Sequence, residues 1–134
     1  MRFLDTNILL YSISRDPAEA RKRERAIELI EEGNNALSVQ VLQEFYVQAT
    51  RPTRTDALPH DLAVRLMRTW LRFPVQEITL AVLSGALSIK AAFGLSYWDA
   101  AIVAAAEAAG CREILTEEMA HGQAIHALTI RNPF

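Results

Sequence analysis

Apolar residues recur along this chain with two alternating periods. Short runs at Phe3-Leu4, Ala36-Leu37-Ser38-Val39, 75–78, 113–116 and 127–130 read as strands. Between them the spacing becomes helical. Ile8, Leu9 and Ile13 follow the first run, and Ala26, Ile27, Leu29 and Ile30 stand among the charges of 18–32. Leu42, Phe45, Tyr46 and Ala49 form a stripe within 40–50, and Leu62, Leu66, Met67, Trp70 and Leu71 form another within 58–73. Two further helices, Leu80–Phe93 and 97–109, flank Gly94, while Pro17, Gly33-Asn34-Asn35, Pro52 and Pro74 punctuate the pattern.

Strands alternating with helices predict an α/β fold, a five-stranded parallel sheet covered by helices on both faces. The length of 134 residues fits one domain. In such sheets ligands sit beyond the carboxyl ends of the strands, so polar residues at those ends are the ones to inspect.

Asp5 ends the first run inside the otherwise apolar "MRFLDTNILL". It can cap the following helix, as can Asp99 through the pattern Ser96-x-x-Asp99. Residues 100–106 after Asp99 are apolar on every side, which predicts a buried helix. Glu44 flanks the Leu42/Phe45/Ala49 stripe early in its helix, and Glu117 and Glu118 follow the strand ending at Thr116. Asp5, Glu44, Asp99 and one of the two glutamates therefore converge on one sheet edge. Two such charges about 4 Å apart repel by roughly 4 kcal/mol at an effective dielectric of 20, a cost that a cation removes. Oxygen ligands without His or Cys select Mg²⁺, with Mn²⁺ the alternative.

Composition narrows the function. Hydrophobic residues make up 51% of the chain, and no apolar run reaches the ~18 residues of a membrane span, so a cytoplasmic protein is expected. Cys111 is single and His60, His121 and His126 are scattered, which excludes a disulfide framework and a zinc site. No Gly-x-Ser-x-Gly elbow or Cys/His pair supplies a side-chain nucleophile. The formal charge of −2 becomes +2 when the four candidate carboxylates are set aside, and 12 of the 14 basic residues are arginine. Arg65, Arg68 and Arg72, at i, i+3 and i+7, are candidate substrate contacts.

The blocks "FLDTN", "QVLQEF", "LSYWDAAIVAAA" and "ILTEEMAHG" together resemble the PIN domain, in particular VapC-like toxins of bacterial toxin–antitoxin pairs. The resemblance spans essentially the whole chain. It implies a three-layer α/β/α sandwich and a metal-dependent endoribonuclease leaving 5′-phosphate and 3′-hydroxyl ends. It carries Asp5, Glu44 and Asp99 over as catalytic metal ligands, with Asn7 and Thr116 as polar residues around them. The fourth aspartate of the family falls on Glu118, with Glu117 as the alternative, and a further aspartate two residues on is Ala120 here. RNA, a cognate antitoxin and a second copy of the chain are the implied partners. A homodimer would bury apolar residues of helices 40–50 and 58–73.

Two other readings compete. A receiver-like phosphoacceptor domain also has an acidic pocket, but it needs a lysine after a late strand, and the only lysines are Lys22 and Lys90. A catalytically silent PIN-like module that binds RNA or protein is the stronger alternative, because of Glu118.

Overall fold

The computed structural model describes residues 1–134. Its elements in chain order are β1 (Arg2–Leu4), α1 (Thr6–Ser12), a 3-10 turn (Pro17–Glu19), α2 (Ala20–Glu32), β2 (Asn35–Ser38), α3 (Val39–Ala49) and α4 (His60–Trp70). There follow β3 (Val75–Gln76), α5 (Leu80–Phe93), α6 (Tyr97–Ala108), β4 (Glu113–Leu115), β5 (Ala124–Ile125) and β6 (Leu128–Arg131). The helix starts have local causes. Ser38 Oγ accepts from Val41 N, Thr79 Oγ1 from Val82 N and Ser96 Oγ from Asp99 N, each satisfying an amide that the first turn leaves free. Gly94 ends α5 in the left-handed region at φ 67°, where a Cβ would be strained.

The sheet has six strands in the order β3-β2-β1-β4-β6-β5. Five are parallel, as the pattern predicts, and β5 adds an antiparallel edge against β6. The extra strand escapes the pattern because it is two residues long and half exposed, made by a tight reversal in which His126 takes φ 52°.

This order fixes where a site can form. The chain leaves β1 towards β2 but leaves β4 towards β6, so the two central neighbours diverge at their carboxyl ends. Right-handed crossovers put α1 to α4 on one face and α5 and α6 on the other. Phe3 pairs with Ile114 and Leu4 with Leu115, so the next residues, Asp5 and Thr116, face each other across the crevice.

One core joins the two faces, from Phe3, Leu4 and Ile8 through Phe45 to Ile114 and Ile130. Phe45 and Trp70 meet edge to face with centroids 4.7 Å apart. The apolar stripe of α3 (Val41, Leu42, Phe45, Ala49), like Ala63 and Trp70 of α4, is buried within the protomer. These side chains are not free to form a dimer contact. Val47 of α3 and Leu71 just after α4 stay exposed, and a second exposed apolar group, Leu80, Leu83 and Leu87 of α5, lies beside Ile78. No single helix is long and apolar enough to cross a membrane.

Candidate functional site

A single open cleft of about 540 Å³ holds four carboxylates, Asp5, Glu44, Asp99 and Glu118. Each comes from a different part of the fold. Asp5 follows β1, Glu44 lies in the second turn of α3, Asp99 lies in the first turn of α6, and Glu118 follows β4.

Asp5 is 4% exposed and caps α1, its Oδ1 accepting from Thr6 N at 2.7 Å. Its Oδ2 accepts from Thr116 Oγ1 at 2.8 Å, and Asn7 Nδ2 in turn donates to Thr116 Oγ1 at 3.0 Å. Burial still dominates, and with the charges of Glu118 and Glu44 nearby it pushes Asp5 up to about 7, against the hydrogen bonds that lower it. Glu44 is clamped from both sides, by Thr6 Oγ1 on Oε2 at 2.7 Å and by Gln40 Nε2 on Oε1 at 2.9 Å.

Asp99 does not spend its carboxylate on the helix start, since Ser96 alone provides the side-chain cap. Glu118 is raised above its ordinary range by desolvation, and then by the charges of Asp99, Glu44 and Glu117. Negative charge is thus concentrated in the cleft and only partly relieved by hydrogen bonds.

The two glutamates after β4 have separate environments. Glu117 accepts from Lys22 Nζ on Oε2 at 2.7 Å and from the Tyr11 hydroxyl on Oε1. Desolvation raises its pKa, but those two partners outweigh it and the net shift is downward. Glu118 faces the cleft with the other acids, its backbone N donating to Thr116 Oγ1 at 3.1 Å.

No three of these carboxylates lie close enough together to enclose an ion as they stand. The donor set is all oxygen, which hard cations select, and the upward shifts of Asp5 and Glu118 mark charge that a cation would neutralise. In those two respects the residues present fit a divalent ion.

Residues 2–120 match the sequence model of the PIN domain. The chain belongs to the PIN domain family. No curated protein matches it by sequence. Solved structures share the fold of this PIN domain at low identity. A chain of a toxin–antitoxin complex from Klebsiella pneumoniae is 20% identical with a TM-score of 0.74, covering 100% of this chain and 98% of that one. VapC20 of Mycobacterium tuberculosis, a sarcin-ricin loop cleaving toxin, is 17% identical with a TM-score of 0.68 over 88% of this chain and 92% of its own. A chain of the DNA-bound VapBC complex of Salmonella typhimurium is 17% identical with a TM-score of 0.67, covering 99% and 98%.

The cleft brings together all four expected carboxylates, with Asn7 and Thr116 bonded to each other behind Asp5. Arg65, Arg68 and Arg72 of the helix and turn 60–72 are exposed and do not line it; Arg72 instead bonds Thr69 O and stacks over Phe73. The arginine that borders the cleft of this PIN domain is Arg51. Sequence reasoning missed the clamp roles of Thr6 and Gln40 and the Lys22–Tyr11 pairing with Glu117. For Gln40 a signal existed, because Gln40 and Glu44 are at i and i+4 on one helix face.

Proposed function

We propose that this PIN domain is a metal-dependent endoribonuclease and the toxin of a VapBC-type toxin–antitoxin pair. Four carboxylates from four separate elements, lining one open cleft at the point where the sheet topology diverges, carry this assignment. Asp5, Glu44, Asp99 and Glu118 would hold Mg²⁺ or Mn²⁺. A divalent ion supplies the Lewis acidity that makes water nucleophilic near neutral pH and offsets charge developing on the phosphate.

The chain's own groups prepare that site. Thr116 and Thr6 N orient Asp5, Thr6 and Gln40 fix the rotamer of Glu44, and Asn7 Oδ1 accepts from Glu117 N to hold the loop after β4. Lys22 and Tyr11 keep Glu117 turned to its own partners, so that Glu118 is the fourth ligand. The cleft is open to solvent along the face of α3 that carries Glu44.

The neighbours from toxin–antitoxin complexes support a small protein inhibitor as partner. The exposed stripe Leu80, Leu83 and Leu87 supports a homodimer through α5. Sequencing RNA ends after brief induced expression tests the whole assignment. The expected result is discrete new 5′-phosphate ends that an Asp99→Asn variant does not produce. RNA binding without metal-dependent cleavage would favour the silent-module reading instead.

A further inference from the structure

The carboxylates occupy only part of the cleft. The rest is lined by Gln40, Gln43, Val47, Gln48 and Arg51, with Trp98 and Ile102 from α6. Gln40, Gln43, Glu44, Val47 and Gln48 recur at i, i+3, i+4, i+7 and i+8 and so share one face of α3, which runs about 12 Å from Gln40 to Gln48 at the helical rise. This face continues directly from the Glu44 carboxylate.

Its groups differ in whether the fold uses them. Gln40 is committed, bonding Glu44 and, at 3.3 Å, the carbonyl of Trp98. No hydrogen bond within the chain engages the side-chain amides of Gln43 or Gln48, and no carboxylate pairs with Arg51. Trp98 is 66% exposed, whereas the other tryptophan, Trp70, is 4% exposed in the core. An indole left mostly in water forfeits hydrophobic burial, so folding stability does not account for its position. Tyr97 packs against the Trp98 ring at 79° with centroids 5.1 Å apart, which fixes the orientation of the indole.

We propose that Trp98, Gln43, Gln48 and Arg51 form a subsite for an unpaired RNA base beside the scissile phosphate. Trp98 stacks on the base, the two amides read its edge, and Arg51 holds a flanking phosphate. The proposal rests on the ribonuclease assignment above and adds to it how the substrate is selected. Unpaired bases are recognised by aromatic stacking and by donor and acceptor groups at their edges, whereas base edges in an RNA duplex are poorly accessible. Affinity from stacking is what this cleft needs, since a single arginine beside four carboxylates cannot attract RNA by bulk charge. Trp98 also borders the exposed apolar residues Ile78, Leu80 and Leu83. Gln43 lines both pockets, but Gln48 and Arg51 line only the carboxylate cleft, and a free amide and a guanidinium there favour a nucleotide over a protein side chain.

The test begins with random-sequence single-stranded RNA dodecamers cleaved in Mg²⁺, which define the nucleotides flanking the cut. A labelled dodecamer of that sequence, and one abasic at a single flanking position, are then titrated by anisotropy in Ca²⁺ against wild type, Trp98→Ala and Trp98→Phe. Trp98→Ala is expected to bind about tenfold more weakly, and Trp98→Phe to recover most of the loss. The abasic probe should weaken wild type by a similar factor and leave Trp98→Ala unchanged, while Gln43→Ala should alter the base preferred at that position.

If wild type cleaves but Trp98→Ala binds and responds to the abasic nucleotide as wild type does, the subsite is overturned and the nuclease assignment stands. If wild type neither binds nor cleaves any dodecamer, both fall. If Trp98→Ala changes only the sedimentation of the protein, the indole is a protein contact and the subsite is overturned.

Discussion

Thr6 joins two carboxylates: its backbone N donates to Asp5 Oδ1 and its Oγ1 donates to Glu44 Oε2, both at 2.7 Å. The end of β1 is thereby tied to α3. Thr6→Val keeps the shape and the backbone bond but removes the hydroxyl. It should cost about 1.5 to 3 kcal/mol in urea unfolding, the range for a hydrogen bond to a charged group, while Thr6→Ser stays near wild type. Mg²⁺ should also stabilise the valine variant less, because Glu44 loses the group that fixes its rotamer.

Ser96 caps α6 without help from the Asp99 carboxylate, so Asp99→Asn separates charge from structure. In EDTA the variant should be at least as stable as wild type, by up to about 1 kcal/mol, a discounted part of the repulsion it relieves. In Mg²⁺ the order should reverse, since wild type alone gains full binding energy. Thermal melts in both conditions read the crossover; an equal shift of the two proteins by Mg²⁺ would show that Asp99 is no ligand.

Glu117 and Glu118 make opposite predictions. Glu117→Gln breaks a partly exposed ion pair with Lys22 and should change stability by no more than about 1 kcal/mol, with the Mg²⁺ response kept. Glu118→Gln should reduce that response. Parallel Mg²⁺ titrations followed by melting temperature decide which glutamate faces the ion.

Asp5 gives a pH signature in the metal-free protein. Its pKa of about 7 when folded lies above the ordinary 3.8, so the folded state holds the proton more tightly than the unfolded chain. Its contribution to stability is complete below about pH 4, declines as pH rises through 7 and is lost above, with a span on the order of a few kcal/mol. Asp5→Asn lacks this decline. Urea melts in EDTA should show the variant gaining on wild type between pH 4 and 7, beyond a constant offset from its altered Thr116 contact.

The α5 surface predicts a change in mass. If Leu83 and Leu87 form a contact between two copies, Leu83→Glu with Leu87→Glu should sediment as a monomer at micromolar concentration where wild type is a dimer. Gly85 provides a control on the same helix. A Cβ there would meet Ala104 Cβ at 3.5 Å, an ordinary contact, so Gly85→Ala should add up to about 1 kcal/mol of helix stability and leave assembly unchanged.

The strand and helix pattern was legible wherever an element was long or capped. Ser38 and Ser96 announce α3 and α6, and both caps are present. Asp5, Glu44 and Asp99 were legible because each stands at a fixed offset from such a boundary. Which of Glu117 and Glu118 lines the cleft was not, because the placement of Glu117 depends on Lys22, 95 positions away in sequence. The exposed stripe of α5 was hidden for a different reason. That helix is apolar nearly all round, so periodicity does not distinguish its buried Val82, Ala86 and Ile89 from the exposed Leu80, Leu83 and Leu87.

Every residue of α6 from Ala100 to Ala106 is buried, and five of the seven are alanine. Packed mostly through methyl groups, with only Ile102 and Val103 longer, the segment lies close to its neighbours and has few rotamers that could absorb a change in volume. Enlarging one of these alanines would shift the backbone, and the shift would reach Asp99 within about 10 Å of helix. Conditional alleles should therefore arise here, far from any reacting group. Alanine-to-valine changes in this segment would lose activity on warming while the protein remained folded at low temperature.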